Sequence, residues 1–211
     1  MPMRILLAAA TTFEVRTVVE RFSVETVITG VGLVSTTYHL QKALSISQPD
    51  LVIQAGIGGC FDTDRPLGTL VAVKEEVIGD QGVEEQGRFR DLFELSFADP
   101  DLAPYTNARL VNPHLDKFNL MRWPEVSGLS VNEVSTRQDR IVHWNTTYRP
   151  TVESMEGAAL HFVCGMEGVP FIQVRALSNY IGERDKHKWD ITGAIKNLND
   201  GVGSLIQKLT I

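Results

Sequence analysis

The stretch Pro49-Asp-Leu-Val-Ile-Gln-Ala-Gly-Ile-Gly-Gly59 decides the fold. Leu51 to Gln54 is a short apolar run of the length of a strand buried on both faces, and Gly56, Gly58 and Gly59 mark its end. The same pattern stands before it. Arg4 to Ala9 is a first such run, followed by a helix-like Glu14 to Phe22. Val24 to Thr29 is a second, stopping at Gly30 and Gly32, after which Ser35 can cap a helix to about Ile46, closed by Pro49. Leu70 to Ile78 reads as a fourth strand. Strands alternating with helices predict a mostly parallel sheet covered by helices on both faces. Ligands in such folds lie beyond the carboxyl ends of the strands, where the glycine segments fall.

The C-terminal half is less regular. Asp80 to about Gly128 carries Pro100, Pro104, Pro113 and Pro124 with weak periodicity, which predicts loops and short elements. Strands follow near Leu129 to Val134 and Thr151 to Met155, then a helix from Glu156 to about Glu167 and a strand from Phe171 to Leu177. A polar loop and a helix over about Asp190 to Leu209 finish the chain. No internal repeat or heptad pattern interrupts it.

At 211 residues, 43% of them hydrophobic and 22% charged, the chain suits one domain, residues 1–211, with a substantial core. A net charge of −6 and no run of Lys and Arg argue against a nucleic-acid partner and for a small molecule. The longest apolar runs fall far short of the about 20 residues that cross a bilayer. The N-terminus lacks the regions of a signal peptide, so a cytoplasmic location is expected. Cys60 and Cys164 stand alone, without zinc or redox spacing, and read as buried reduced thiols. The five histidines share no ligand spacing, and no metal or organic cofactor is expected.

Several polar groups sit at strand ends. Thr29-Gly-Val-Gly32 can turn backbone N–H groups toward a ligand, although a dinucleotide fingerprint needs a third glycine where Ser35 stands. Gln54 to Gly59 is a second backbone-rich segment; a turn or bulge explains it as well from spacing alone. Glu14 stands where the first strand meets the first helix, where an acid also complements the helix dipole. Ser154-Met-Glu156 sets an acid between an apolar strand and an Ala-rich helix, and Val174-Arg-Ala-Leu-Ser-Asn179 places Ser178 and Asn179 after an apolar run, where a plain turn is the ordinary alternative.

Ala10-Thr-Thr-Phe-Glu-Val15, Thr29 to Gly32, Pro49 to Gly56, Met155-Glu-Gly-Ala158 and Val174 to Asn179 together resemble the nucleoside phosphorylase and nucleosidase superfamily, especially the methylthioadenosine and S-adenosylhomocysteine nucleosidases. The likeness covers most of the chain in order. It implies a three-layer α/β sandwich with a central mixed, mostly parallel sheet, and a homodimer or higher homo-oligomer whose neighbouring subunit completes the pocket. It also implies a purine nucleoside substrate, with Glu14 as the water-activating acid, Met155 and Glu156 on the ribose, Ser178 and Asn179 facing the base, and Val31, Gly56 and Val131 among the substrate contacts.

Three departures sharpen that expectation. Adenine-specific relatives carry aspartate where Asn179 stands here. An amide NH2 suits the two neighbouring acceptors, O6 and N7, of hypoxanthine, and a donor placed there is worth about 3 kcal/mol of barrier. With Ser178-Asn-Tyr-Ile-Gly-Glu-Arg-Asp185 and Trp189, the segment looks like the futalosine-hydrolysing branch, which serves menaquinone biosynthesis. The usual aromatic base platform is replaced by Ser130-Val-Asn132, leaving Phe61 or Trp189 to cover the purine, and the hairpin that many relatives insert between Phe22 and Val27 is missing. Futalosine carries an aromatic carboxylate, and Arg137, Arg140 and Arg184 are equal candidates to receive it. The rivals are a nucleosidase or phosphorylase for inosine, aminofutalosine or methylthioadenosine, and a nucleoside-binding module without catalysis.

Overall fold

The computed structural model describes residues 3–210. β1 (Ile5–Ala9), α1 (Thr12–Arg21), β2 (Glu25–Ile28), α2 (Leu33–Ser47), β3 (Leu51–Cys60) and β4 (Leu70–Ile78) follow in the expected order. The segment read as loops holds a hairpin of β5 (Gly82–Glu85) and β6 (Arg88–Asp91), a second of β7 (Tyr105–Thr106) and β8 (Arg109–Val111), and the single turn α3 (Leu115–Phe118). β9 (Glu125–Ser130), α4 (Gln138–Thr147), β10 (Val152–Ser154), α5 (Gly157–Glu167), β11 (Phe171–Tyr180) and α6 (Ile191–Thr210) complete the chain.

The sheet is built from two parallel blocks. β2, β1, β3 and β11 form one, and β10, β9 and β4 the other. The blocks meet antiparallel twice, β11 against β4 and β10 against β3, so β3, β11, β4, β9 and β10 close on themselves. Such curvature needs local breaks in the pleat. β4 shifts register between Val73 and Glu75, and β11 between Leu177 and Asn179.

Helices cover both faces, as the alternation predicts, because the strands are apolar on both sides. In β1, Ile5, Leu7 and Ala9 pack with Val15 and Val18 of α1 and with Leu198, Val202 and Leu205 of α6. Leu6 and Ala8 pack instead with Leu40 and Leu44 of α2 and Leu160 and Val163 of α5. This two-residue period against three- and four-residue spacings is the geometry of a helix–sheet–helix sandwich. No helix among the described residues is long and apolar enough to cross a membrane.

Some boundaries differ from the sequence expectation. β3 does not end at its glycines but runs through Gly56, Gly58 and Gly59 to Cys60, held on one edge by β11 and at its tip by β10. β9 begins and ends about four residues before the expected strand, its buried Val126 alternating with more exposed Glu125 and Ser127. α4 was not foreseen, because only Ile141 and Trp144 of its residues are buried. α2 starts behind Gly32, not at Ser35; the Ser35 hydroxyl instead folds back to donate to the Thr29 carbonyl at 2.6 Å. Ser178 and Asn179 lie inside β11 and not in a turn.

Candidate active site

Glu14 is placed by the start of α1. Its Oε2 accepts from the Thr11 backbone N–H at 3.0 Å and from the Thr11 hydroxyl at 3.1 Å, and its Oε1 accepts from the Ile57 N–H in β3 at 3.1 Å. The acid therefore caps its helix and faces the cleft at once. From α6, the Asn199 amide donates to the Glu14 carbonyl at 2.8 Å and accepts from the Val18 N–H, locking α1 against the C-terminal helix. Three donors thus converge on one buried carboxyl group, which fixes its orientation toward the cleft.

Glu156 stands immediately before α5. Its Oε1 accepts from the Gly32 N–H at 3.2 Å, and Oε2 lies 3.3 Å from Nη1 of Arg175. Gly30 and Gly32 have φ of 76° and 96°, a left-handed backbone that turns the Gly32 N–H to this carboxylate. Arg175 sits almost fully buried in β11, with Nη2 2.9 Å from Oε1 of Gln54 and Nη1 3.3 Å from the Ile57 carbonyl. Gly56 lies between Glu14 and Arg175. Any side chain there would run into the Arg175 guanidinium, with Glu14 Oε1 only 3.1 Å away. Gly56 thus permits the site from beneath and does not line its cavity.

A cavity of about 310 Å3 connects these groups, within the range of small-molecule sites. Glu14, Met155, Glu156, Ser178 and Asn179 all line it, together with Val31, Phe13 and Trp189. The Ser178 hydroxyl donates to Asn179 Oδ1 at 2.9 Å, and Asn179 Nδ2 donates to the Tyr180 carbonyl at 3.3 Å. Val131, expected to touch the substrate, is fully buried with Leu129, Trp144 and Tyr148; Val134, further along the same loop, lines the cavity in its place. Of the two aromatic candidates to cover a base, Trp189 borders the cavity and Phe61 packs away with the Val131 cluster. A larger surface groove of about 820 Å3 lies on α2, lined by Leu33, Val34 and Tyr38 of that helix and by Ile78, Asp80 and Asn132 among others.

Residues 9–209 match the Phosphorylase superfamily. The chain belongs to this superfamily. The futalosine hydrolase of Streptomyces coelicolor is 31% identical over 74% of the chain, a match spanning 65% of that enzyme's length, just under two thirds. That of Thermus thermophilus is 29% identical over 84% of the chain and 79% of the relative. The solved futalosine hydrolase of Helicobacter pylori has the same fold, with a TM-score of 0.80 over 99% of both chains at 16% identity.

In this superfamily member the sequence brought most site residues to one place, and it left others unread. Arg175 and Gln54 were missed, although a polar side chain inside an apolar strand run was the available signal. Glu153 was missed for the same reason. It lines the cavity from β10, buried, with its carboxylate held by the Ser135 N–H at 3.2 Å and by the Ser135 hydroxyl. Among the described residues no three His, Cys, Asp or Glu side chains converge to hold a metal ion.

Proposed function

We propose that the protein hydrolyses the N-glycosidic bond of futalosine, releasing hypoxanthine and dehypoxanthine futalosine for menaquinone biosynthesis. The observation that carries this reading is the Asn179 amide, which lines the cavity that also holds Glu14 and Glu156 and whose Oδ1 is held by the Ser178 hydroxyl. Loss of a purine from ribose passes through an oxocarbenium-like state, so cationic sugar and anionic base must be stabilised apart. Glu14 aligns and deprotonates the water that attacks the anomeric carbon. Glu156, with Met155 against the sugar, binds the ribose hydroxyls and favours the positive ring. Asn179 donates to O6 and N7 of the leaving base. The relatives named above support futalosine as the substrate. None of the residues lining the cavity is Lys or Arg, which favours water over phosphate as the attacking group.

The carboxylate of futalosine goes to Arg184 in this reading. The Arg184 guanidinium carbon lies 5.5 Å from the centre of the ring of Trp189, which lines the cavity, and no carboxylate pairs with it among the described residues. Arg137 pairs with Glu84 and Asp139, and Arg140 lies over Phe89 with Glu84 at 3.7 Å. A homodimer is also part of the proposal, supported by Val34 and Tyr38, which are 82% and 62% exposed and line the α2 groove beside the Val31 turn. The buried free thiols Cys60 and Cys164 support a reducing, cytoplasmic compartment. Purified protein incubated with futalosine, aminofutalosine, inosine and methylthioadenosine, with and without phosphate, tests the reading by chromatography of the released base. Hypoxanthine from futalosine without phosphate is expected; adenine as the main product, or phosphate dependence, overturns it.

A further inference from the structure

Beside Glu156 the structure buries a row of polar groups for which the chemistry above has no use. Glu76 of β4 is fully buried. The Ser130 hydroxyl, from β9, donates to Glu76 Oε2 at 3.0 Å and itself accepts from the Ala158 N–H in the first turn of α5 at 2.8 Å. On the other side Nε2 of Gln173, from β11, lies 2.9 Å from Glu76 Oε1. Gly157, the residue after Glu156, rests on this pair, since a Cβ there would run into both Glu76 Oε1 and Gln173 Nε2. Beyond Gln173 comes the buried His161 of α5, whose Nδ1 lies 2.8 Å from the Leu110 carbonyl oxygen.

This row is short of one proton. A carbonyl only accepts, so His161 Nδ1 carries the hydrogen and Nε2 of the neutral ring is a bare acceptor. That Nε2 and Oε1 of the neighbouring Gln173 are both buried without a hydrogen-bond partner among the described residues. Two arrangements supply the missing proton. In one, an imidazolium donates to Gln173 Oε1 and Glu76 is ionised. In the other, the Gln173 amide is turned by half a rotation; Glu76 carries the proton and donates to Gln173 Oε1, and the amide NH2 donates to His161 Nε2. The charged groups that act on Glu76 are Arg175 from β11 and Glu156 before α5, while Asp91 and Tyr105 border a small cavity that Glu76 also lines. Arg175 favours the carboxylate and opposes the imidazolium, so its field largely cancels in the choice, and the Glu156 charge disfavours a second carboxylate. Burial decides: separating two charges away from water is the costlier state, so the neutral arrangement wins.

We propose that Glu76 is a positioning residue for Glu156: in its protonated form it supports the first turn of α5 and leaves the whole charge of Arg175 to the Glu156 carboxylate. The assignment rests on the functional reading above, in which Glu156 holds the ribose hydroxyls, and deepens it. Ionisation of Glu76 sets a second carboxylate in the field of Arg175 and against Glu156. Arg175 is then shared, the two acids repel, and the grip on the sugar loosens although Glu76 never touches the substrate.

The test is the pH profile of futalosine hydrolysis by wild type and Glu76→Gln, one pH unit either side of about 7, the value to which burial raises Glu76. As the pH rises, wild type is expected to lose up to about tenfold in kcat/KM, mainly through KM, following the protonated fraction of one group. Glu76→Gln stays neutral, accepts from Ser130 and donates to Gln173, so its profile is expected to be flat there. A merely structural defect lowers the curve and keeps its shape. Infrared spectra give a second readout. At about pH 6, where ordinary carboxyl groups are ionised, wild type is expected to show a carboxylic-acid carbonyl band that Glu76→Gln lacks. Glu153, the other acid that burial raises, is present in both proteins and cancels in the difference. A flat wild-type profile overturns the positioning role even if the variant does not fold, and so does the same alkaline fall in both proteins. Wild type without the band overturns the proton on Glu76. A wild type inert toward futalosine overturns the functional reading and the role toward the sugar, and the band then decides the proton by itself.

Discussion

Nη1 of Arg175 lies 3.3 Å from Oε2 of Glu156, with the two side chains only 2% and 8% exposed. A buried pair of this kind adds little net stability over an apolar pair, yet breaking it leaves one charge uncompensated. Arg175→Met is therefore expected to destabilise the fold by about 3–5 kcal/mol in urea titrations. Adding Glu156→Gln to it removes the stranded charge and is expected to restore part of that loss. A single substitution as stable as wild type would show that Arg175 does not neutralise Glu156.

Glu14→Gln removes the base and keeps much of the capping geometry. Turnover is expected to drop by roughly two to four orders of magnitude, the usual contribution of a positioned general base, with KM little changed. Base release under saturating futalosine measures it, and the thermal midpoint checks that the helix start survives.

Asn179→Asp replaces the donating NH2 of the amide with an oxygen that can accept from an exocyclic amine. The preference is expected to move toward aminofutalosine by about tenfold, near the value of one hydrogen bond. Parallel assays of the two substrates decide it; an unchanged preference means that Asn179 does not contact the base edge.

Arg184→Ala is expected to raise KM for futalosine while leaving kcat/KM for inosine unchanged, because inosine has no carboxylate for it to hold. Equal effects on both substrates would point to a structural role for the stack on Trp189.

Two buried groups make opposing contributions to the pH dependence of stability. Burial pushes the Glu76 carboxyl up to about 7, against hydrogen bonds from Gln173 and Ser130 and the nearby Arg175 charge, with the Glu156 charge adding to the rise. Burial pushes His161, whose Nδ1 lies 2.8 Å from the Leu110 carbonyl oxygen, down to about 4. For Glu76 the native state binds the proton more tightly than the unfolded chain, so its stabilisation is complete below pH 4.5 and is lost as the pH rises through about 7. For His161 the native state resists protonation, so its stabilisation is complete above pH 6.5 and is lost as the pH falls through about 4. The slopes oppose between those limits. Glu76→Gln is expected to expose the His161 slope, so that its urea midpoint falls more steeply from pH 7 to pH 4.5 than that of wild type. Parallel slopes in the two proteins would rule out proton binding by Glu76 in the native state.

Apolar runs and punctuating glycines were enough to determine the layered α/β order, because a strand buried on both faces and a helix buried on one leave different periods in the chain. Glu14, Glu156, Ser178 and Asn179 were legible for a related reason: each is a polar group near the end of an apolar segment and stands out against its neighbours, whereas Met155 was read only from the family resemblance. Only the tertiary structure decided the rest. Closure of the sheet depends on antiparallel contacts between strands far apart in sequence, such as Val152 with Cys60 and Val174 with Ala72, which no local pattern encodes. The same long-range pairing carried β3 through its glycines, made Gly56 the gap between Glu14 and Arg175, and sank Val131 into the core while Val134 reached the cavity. Arg175, Gln54 and Glu153 came into view in this way, since a buried polar group inside a strand acquires a role only from the partners that the folded sheet sets around it.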